Sequence, residues 1–230
     1  ALEPEIDAGH GSHYNPGVMK PGWTDRILMA ALWLLAAVCI LVHAEGPDAD
    51  AWDFQASFRE AARDPVHPTH PLLRAGGDLT NRFTPHVVAV GWICRLTGLS
   101  PRAWMDLQGL GAAALLLSGL VAFSLSRWPR IQPRYLLLAP FFLWGSGWGW
   151  SGELAWTTQA LTWTYPVTLA FGLSLWCAVA AARWLAGGGP GWWAATAVLL
   201  TAVVTTHPET GACATVLVLH VRPVKAGPVP

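Results

Sequence analysis

The chain has 230 residues, of which 53% are hydrophobic and only 12% charged, and its 14 basic and 14 acidic side chains cancel. A soluble domain carries about twice that charged fraction, a nucleic-acid binder needs a basic excess, and a disordered chain needs low hydrophobicity. What fits is a polytopic, all-α membrane protein, with its 15 tryptophans where helices meet the bilayer surfaces.

Residues 1–26 read as an N-terminal tail on the cytoplasmic side, because Lys20 and Arg26 precede the first apolar run. That run, 27–44, is uncharged and nearly the roughly 20 residues a crossing needs. Val42-His43-Ala44 before Glu45 also fits a signal-peptide cleavage site. The apolar core is long for a signal, and further spans follow.

An acidic segment, 45–103, comes next and is expected outside. It holds Glu45, Asp48, Asp50, Asp53, Glu60, Asp64 and Asp78, with His67, His70 and His86. A connection this long is usually functional. Within it, 51–63 reads as an amphipathic helix carrying Trp52, Phe54, Phe58 and Ala61 on one face, expected to lie aromatic side down on the membrane. Asp48 and Asp50 sit at the mouth of the first span. There a partly dehydrated carboxylate can serve as a general base, or it can simply cap the helix that follows. His67-Pro-Thr-His70 sets two imidazoles three residues apart, candidates for a divalent metal or plain loop histidines. The stretch 87–99 is apolar but short and contains Arg95. If it crossed, the loop holding Arg127, Arg130 and Arg134 would fall outside, so it is expected to lie in the outer interface.

Further spans are expected at 104–126, 135–150, 163–184 and 192–206, with a partial one at 211–221; 222–230 reads as a truncated tail, and the whole of 27–221 as one transmembrane domain. Trp144, Trp148, Trp150 and Trp156 surround Ser151-Gly-Glu153, either as an interfacial belt or as an aromatic floor for a sugar or prenyl chain with Glu153 as its polar contact. Cys39, Cys94, Cys177 and Cys213 form no CxxC pair and are expected to be buried free thiols. The spans at 135–150, 163–184 and 192–206 hold no acid or base before Arg183, which argues against an ion path. His43, His207 and His220 lie toward the ends of their runs, so no facing haem-ligand pair is evident. Phosphate-loop, HExxH, GxSxG and GxGxxG patterns are missing. The preference for Arg over Lys hints at a GC-rich bacterial genome and a plasma-membrane location.

In feature order the first half resembles the GT-C class of integral-membrane glycosyltransferases, those related to protein O-mannosyltransferases and aminoarabinose transferases. The matching residues are Asp48-Ala-Asp50-Ala-Trp-Asp-Phe54, His70-Pro-Leu-Leu73, Phe83-Thr-Pro85-His, the helix over 87–97, Gly98-Leu-Ser100, and 104–126 ending at Arg127. The likeness covers roughly 27–130, and the Asp-x-Asp spacing departs from the usual adjacent acidic pair. It implies an inverting transfer of a sugar from a polyprenyl-phosphate donor to an external acceptor, in the cell envelope. Asp50 or Asp48 would take the acceptor's proton. Arg74, Arg82 or Arg102 would hold the donor phosphate, and Trp52 and Trp150 would line the site with Glu153. Some members use a divalent metal, for which His67 and His70 are the candidates. The alternative is a non-catalytic membrane subunit or a transporter fragment.

Overall fold

A computed structural model describes residues 21–42, 49–69, 84–128, 131–143 and 163–221, with only the backbone at 49–52 and 140–143. Among the described residues there are eight helices and no strand: α1 (Trp23–Val42), α2 (Ala49–Arg63), α3 (Pro85–Thr97), α4 (Pro101–Arg127), α5 (Pro133–Leu143), α6 (Pro166–Leu185), α7 (Pro190–Thr206) and α8 (Pro208–Leu219). Three of them, α1, α4 and α6, are long and apolar enough to cross a membrane; α7 and α8 are apolar but shorter.

Every helix from α3 to α8 begins on proline. Proline lacks the N–H that a first-turn residue leaves unpaired, and its φ already suits a helix. This explains why the helices start two to three residues before most of the expected boundaries, which followed the apolar runs alone. The exceptions are the run expected from 163, where the helix starts later at Pro166, and α1, which starts at Trp23 after Pro21-Gly22. Asp25 anchors that start. Its Oδ2 accepts from Gly22 N at 2.8 Å, and its Oδ1 accepts from Arg134 N at 3.2 Å, tying α1 to α5.

Contacts between helices set their directions. Ile40 of α1 meets Gly109 of α4, while Leu32 packs with Leu117 and Val121, so α1 and α4 are antiparallel. Gly109 lies against Thr164, Gly172 against Leu115 and Leu116, and Gly119 against Leu175, so α4 and α6 run the same way. Cys177 points its thiol at Thr196 O at 3.6 Å, and Ala170 packs with Val203, which makes α7 antiparallel to α6. α8 turns back at Pro208, with Ala214 beside Ala170 and Val221 beside Ala178 and Ala182.

The α4–α6 seam is built from small residues. A Cβ placed on Gly172 would lie 2.9 Å from Leu116 N, and one on Gly119 3.0 Å from the Leu175 Cβ. Such residues let backbones approach closely, which is how helices associate when apolar burial alone gives no net drive. Trp176 Nε1 donates to Ser118 Oγ across the same seam at 3.2 Å.

α2 and α3 form a parallel pair laid at the end of the bundle where α1 finishes and α4 and α6 begin. Phe58, Ala61, Val87, Val90, Cys94, Met105 and Tyr165 make one buried cluster there. The contact is close because Gly91 has no side chain: a Cβ would come within 2.5 Å of Ala61. Arg95 donates from Nη1 to Arg63 O at 2.9 Å, closing the C-terminus of α2. α3 is bounded by Thr84 at its start and by Gly98, in the left-handed region at φ 73°, at its end.

Two expectations change here. The aromatic face of α2 does not look outward, because Phe54, Phe58 and Ala61 pack on α3, Met105 and Tyr165. Among the side chains described in this pair, the apolar positions left exposed are on α3, at Ala89, Trp92 and Leu96. Of the four cysteines, Cys94 and Cys177 are buried thiols as expected, Cys39 is half-buried, and Cys213 is exposed on α8.

Candidate functional site

Of the expected site residues, Asp50, Trp52, His67 and Arg102 are among those described, the first two by backbone only. Asp48, His70, Arg74, Arg82, Trp150 and Glu153 lie outside the described residues, as does the cluster of Trp144, Trp148 and Trp156. Asp50 and Trp52 belong to the first turn of α2. His67 lies beyond the other end of the same helix, so it is separated from Asp50 by a helix of 15 residues, about 22 Å at 1.5 Å per residue. It is exposed, and its backbone N donates to Asp64 Oδ1 at 3.0 Å. Among the described residues no three His, Cys, Asp or Glu side chains gather as a metal site. Arg102, in the first turn of α4, pairs with Asp106 one turn on, Nε to Oδ1 at 3.1 Å, so its charge is partly balanced already.

Asp64 owes its geometry to a tight turn. Its Oδ1 accepts from both Val66 N and His67 N, an arrangement an Asp side chain favours just after a helix. The hydrogen bond from His67 N holds its carboxyl below the usual carboxylate value.

What the structure does assemble is a buried polar group under α2 and α3. Asp53 and Ser57 lie one turn apart on α2 and are both buried, on the side that also presents Phe54 and Phe58. Gln108, buried on α4, donates from Nε2 to Thr164 O at 2.9 Å. Its Oε1 lies 3.0 Å from His86 Nε2 on α3. The His86 ring stands edge-on to Phe58 at 6.2 Å, and Phe54 meets Tyr165 at 5.8 Å.

This network fixes proton positions. Thr164 O can only accept, so the Gln108 nitrogen faces it and the Gln108 oxygen faces the imidazole. An amide oxygen can only accept, so His86 carries its proton on Nε2. Burial holds the imidazole below its usual value, with the Gln108 hydrogen bond opposing, so the ring is neutral at pH 7. Nearby, the indole N–H groups of Trp104 and Trp163 are buried with no acceptor among the described residues.

Sequence reading placed Asp53 and His86 in the acidic segment without a role and passed over Gln108. One signal was present. An amide inside an otherwise apolar run is costly unless it bonds across helices, and Gln108 stands in the run 104–126.

Compared with known protein families, curated proteins and solved structures, the chain has no match.

Proposed function

We propose that the chain is an integral membrane protein, the membrane-embedded portion of a GT-C-like glycosyltransferase that moves a sugar from a polyprenyl-phosphate donor to an external acceptor. The observation that carries this reading is the seat of α2. Its acidic first turn, with Asp50, comes next in the chain after an apolar helix long enough to cross, and α2 with α3 lies across the starts of α4 and α6. The order of span, acidic turn, two short helices and long span is the order on which the resemblance rests.

In this reading α1, α4 and α6 cross, the segment that begins with α5 returns the chain between α4 and α6, which run the same way, α7 returns it after α6, α8 completes the bundle, and the end bearing α2 and α3 is external. Charge supports that orientation. Arg26, Arg127, Arg134 and Arg183 mark the opposite end, three of them at the short connections after α4 and α6, and Asp25 there is buried and engaged; Arg59, Arg63, Arg95 and Arg102 stand at the α2–α3 end among a larger number of acids. Asp50, Asp53, Glu60, Asp64, Asp106 and Glu209 belong to the α2–α3 end. Basic residues favour the cytoplasmic side. The exposed strip of Ala89, Trp92 and Leu96 seats α3 in the outer interface.

The chemistry asks for one base, because a lipid phosphate leaves without strong protonation. Asp50 or Asp48 fills that role, and Arg102 contributes positive charge at the same end.

The test is transfer of a labelled sugar from a polyprenyl-phosphate donor in membranes carrying the full-length protein. Asp50→Asn or Asp48→Asn is expected to lower transfer by about a hundredfold or more. Full transfer in both variants defeats the assignment. Orientation is checked by labelling Arg59→Cys and Arg183→Cys in intact cells with an impermeant thiol reagent; the first should react and the second should not.

A further inference from the structure

We propose that His86 is a neutral clasp fastening the α2–α3 pair to the starts of α4 and α6, and that uptake of a proton opens it. The imidazole touches α2 and α4 directly and is linked onward, through Gln108, to the residue pair that leads into α6. It is rooted in the first turn of α3, donates to Gln108 of α4, is joined through that amide to Thr164 O ahead of α6, and packs edge-on against Phe58 of α2. Phe58 is itself fully buried in the cluster that holds the pair down.

A neutral ring suits this place. Protonation would leave the Nε2–H bond to Gln108 intact but would put a full charge on a half-buried ring beside Phe58, at the margin of the apolar cluster. An apolar setting of that kind penalises the charged form more than a single hydrogen bond repays. The titratable groups on the surrounding elements are Asp53 on α2, Arg102 and Asp106 on α4, Tyr165 before α6 and, on α3 itself, Cys94 and Arg95. None of them sets the imidazole's proton affinity. Burial lowers it, and the Gln108 hydrogen bond partly restores it.

The sign follows from proton linkage. The docked pair binds fewer protons than the released pair, because the released imidazole returns to its usual value of 6.5. Docking is therefore at full strength above that value and weakens as pH falls below it, by at most about tenfold per pH unit. The device would regulate the site proposed above for sugar transfer, yet its readout is a thiol rather than a transferred sugar, so the two proposals fail independently.

Cys94 is the natural reporter. It is buried on α3 inside the same cluster, and burial pushes its thiol up, so it is protected twice while the pair is docked. The full chain in lipid nanodiscs is treated with a disulfide reagent that reacts in acid, and the Cys94 peptide is quantified by mass spectrometry. Dividing by the rate in detergent-denatured chain at the same pH removes the intrinsic pH dependence of the reagent. From about pH 7.5 to about pH 5 the normalised rate should rise in the native chain, within the ceiling of about tenfold per pH unit below 6.5. It should stay flat in His86→Gln, which keeps an N–H donor for Gln108 but cannot titrate. A flat native profile, or an undiminished rise in His86→Gln, overturns the proposal. Should His86→Gln fail to assemble, NMR titration of imidazole-labelled native chain decides. A histidine titrating below 6.5 in step with Cys94 exposure supports the clasp, and none doing so refutes it.

Discussion

At the end away from α2 and α3, large aromatic side chains stand outside. Trp23, Trp128, Trp184, Trp192 and Trp193 are all exposed, and Arg26, Arg134 and Arg183 lie among them. At the α2–α3 end Trp92 is exposed as well, but large aromatic and polar side chains are buried together. Phe58, Trp163 and Tyr165 are buried, and so are the polar side chains of Asp53, Ser57, Gln108 and Thr164. The first pattern answers to a solvent boundary, where an amphipathic ring is most stable with one side apolar and one side wet. The second answers to packing, because a polar atom taken from water must find a protein partner. An end that hides its polar groups is held together by specific contacts, and it can be taken apart by removing them singly.

The comparison is tested most severely at the seam that supports both ends. Gly172→Leu would drive a side chain into the backbone of Leu115 and Leu116. A cost of about 3 kcal/mol is expected from such overpacking, read as a large drop in melting temperature in detergent together with general thiol exposure. Gly91→Leu applies the same steric insult to α2 against α3. It should cost about 2 kcal/mol, but locally: Cys94 should become reactive while Cys177, under the α6–α7 contact, stays protected. Concerted exposure of both would mean that the pair and the bundle are one cooperative unit. Gln108→Leu strips the partner from His86 Nε2 and from Thr164 O. About 1–2 kcal/mol should be lost, again seen first at Cys94. Trp193→Ala, at the exposed end, should change stability by less than about 0.5 kcal/mol.

Much of the helical framework was legible because apolar runs are long and punctuated. The stretches 104–126 and 192–206 lie inside α4 and α7 almost residue for residue. The helix starts were displaced because the expected boundaries followed the apolar runs alone, whereas Pro101, Pro133 and Pro190, ahead of those runs, occupy the first helical turn. The periodicity of α2 was legible, but its orientation was not. A stripe of Phe54, Phe58 and Ala61 looks the same whether lipid or α3 covers it, and only the close approach at Gly91 decides. The buried polar group was the least legible feature. His86 and Gln108 are 22 residues apart, and Gln108 and Thr164 are 56. No local spacing rule joins them. Of the expected site residues whose side chains are described, Arg102 pairs with Asp106 in the first turns of α4, and His67 is exposed in the turn after α2.

The prolines that open six successive helices also limit how this protein can adapt to its surroundings. The residue before a proline is driven out of the helical region, so α3 to α8 cannot gain a turn by growing backward. A helix of fixed length in a bilayer of changed thickness has few responses left, chiefly tilting, bending or deforming the lipid. Because α4 and α6 run in the same direction and touch along the small-residue seam, they would lean as one body. A thicker membrane would then be met by rotation of the pair, carrying α2 and α3 with it, and bilayer thickness becomes a mechanical input at the end where the polar groups are hidden.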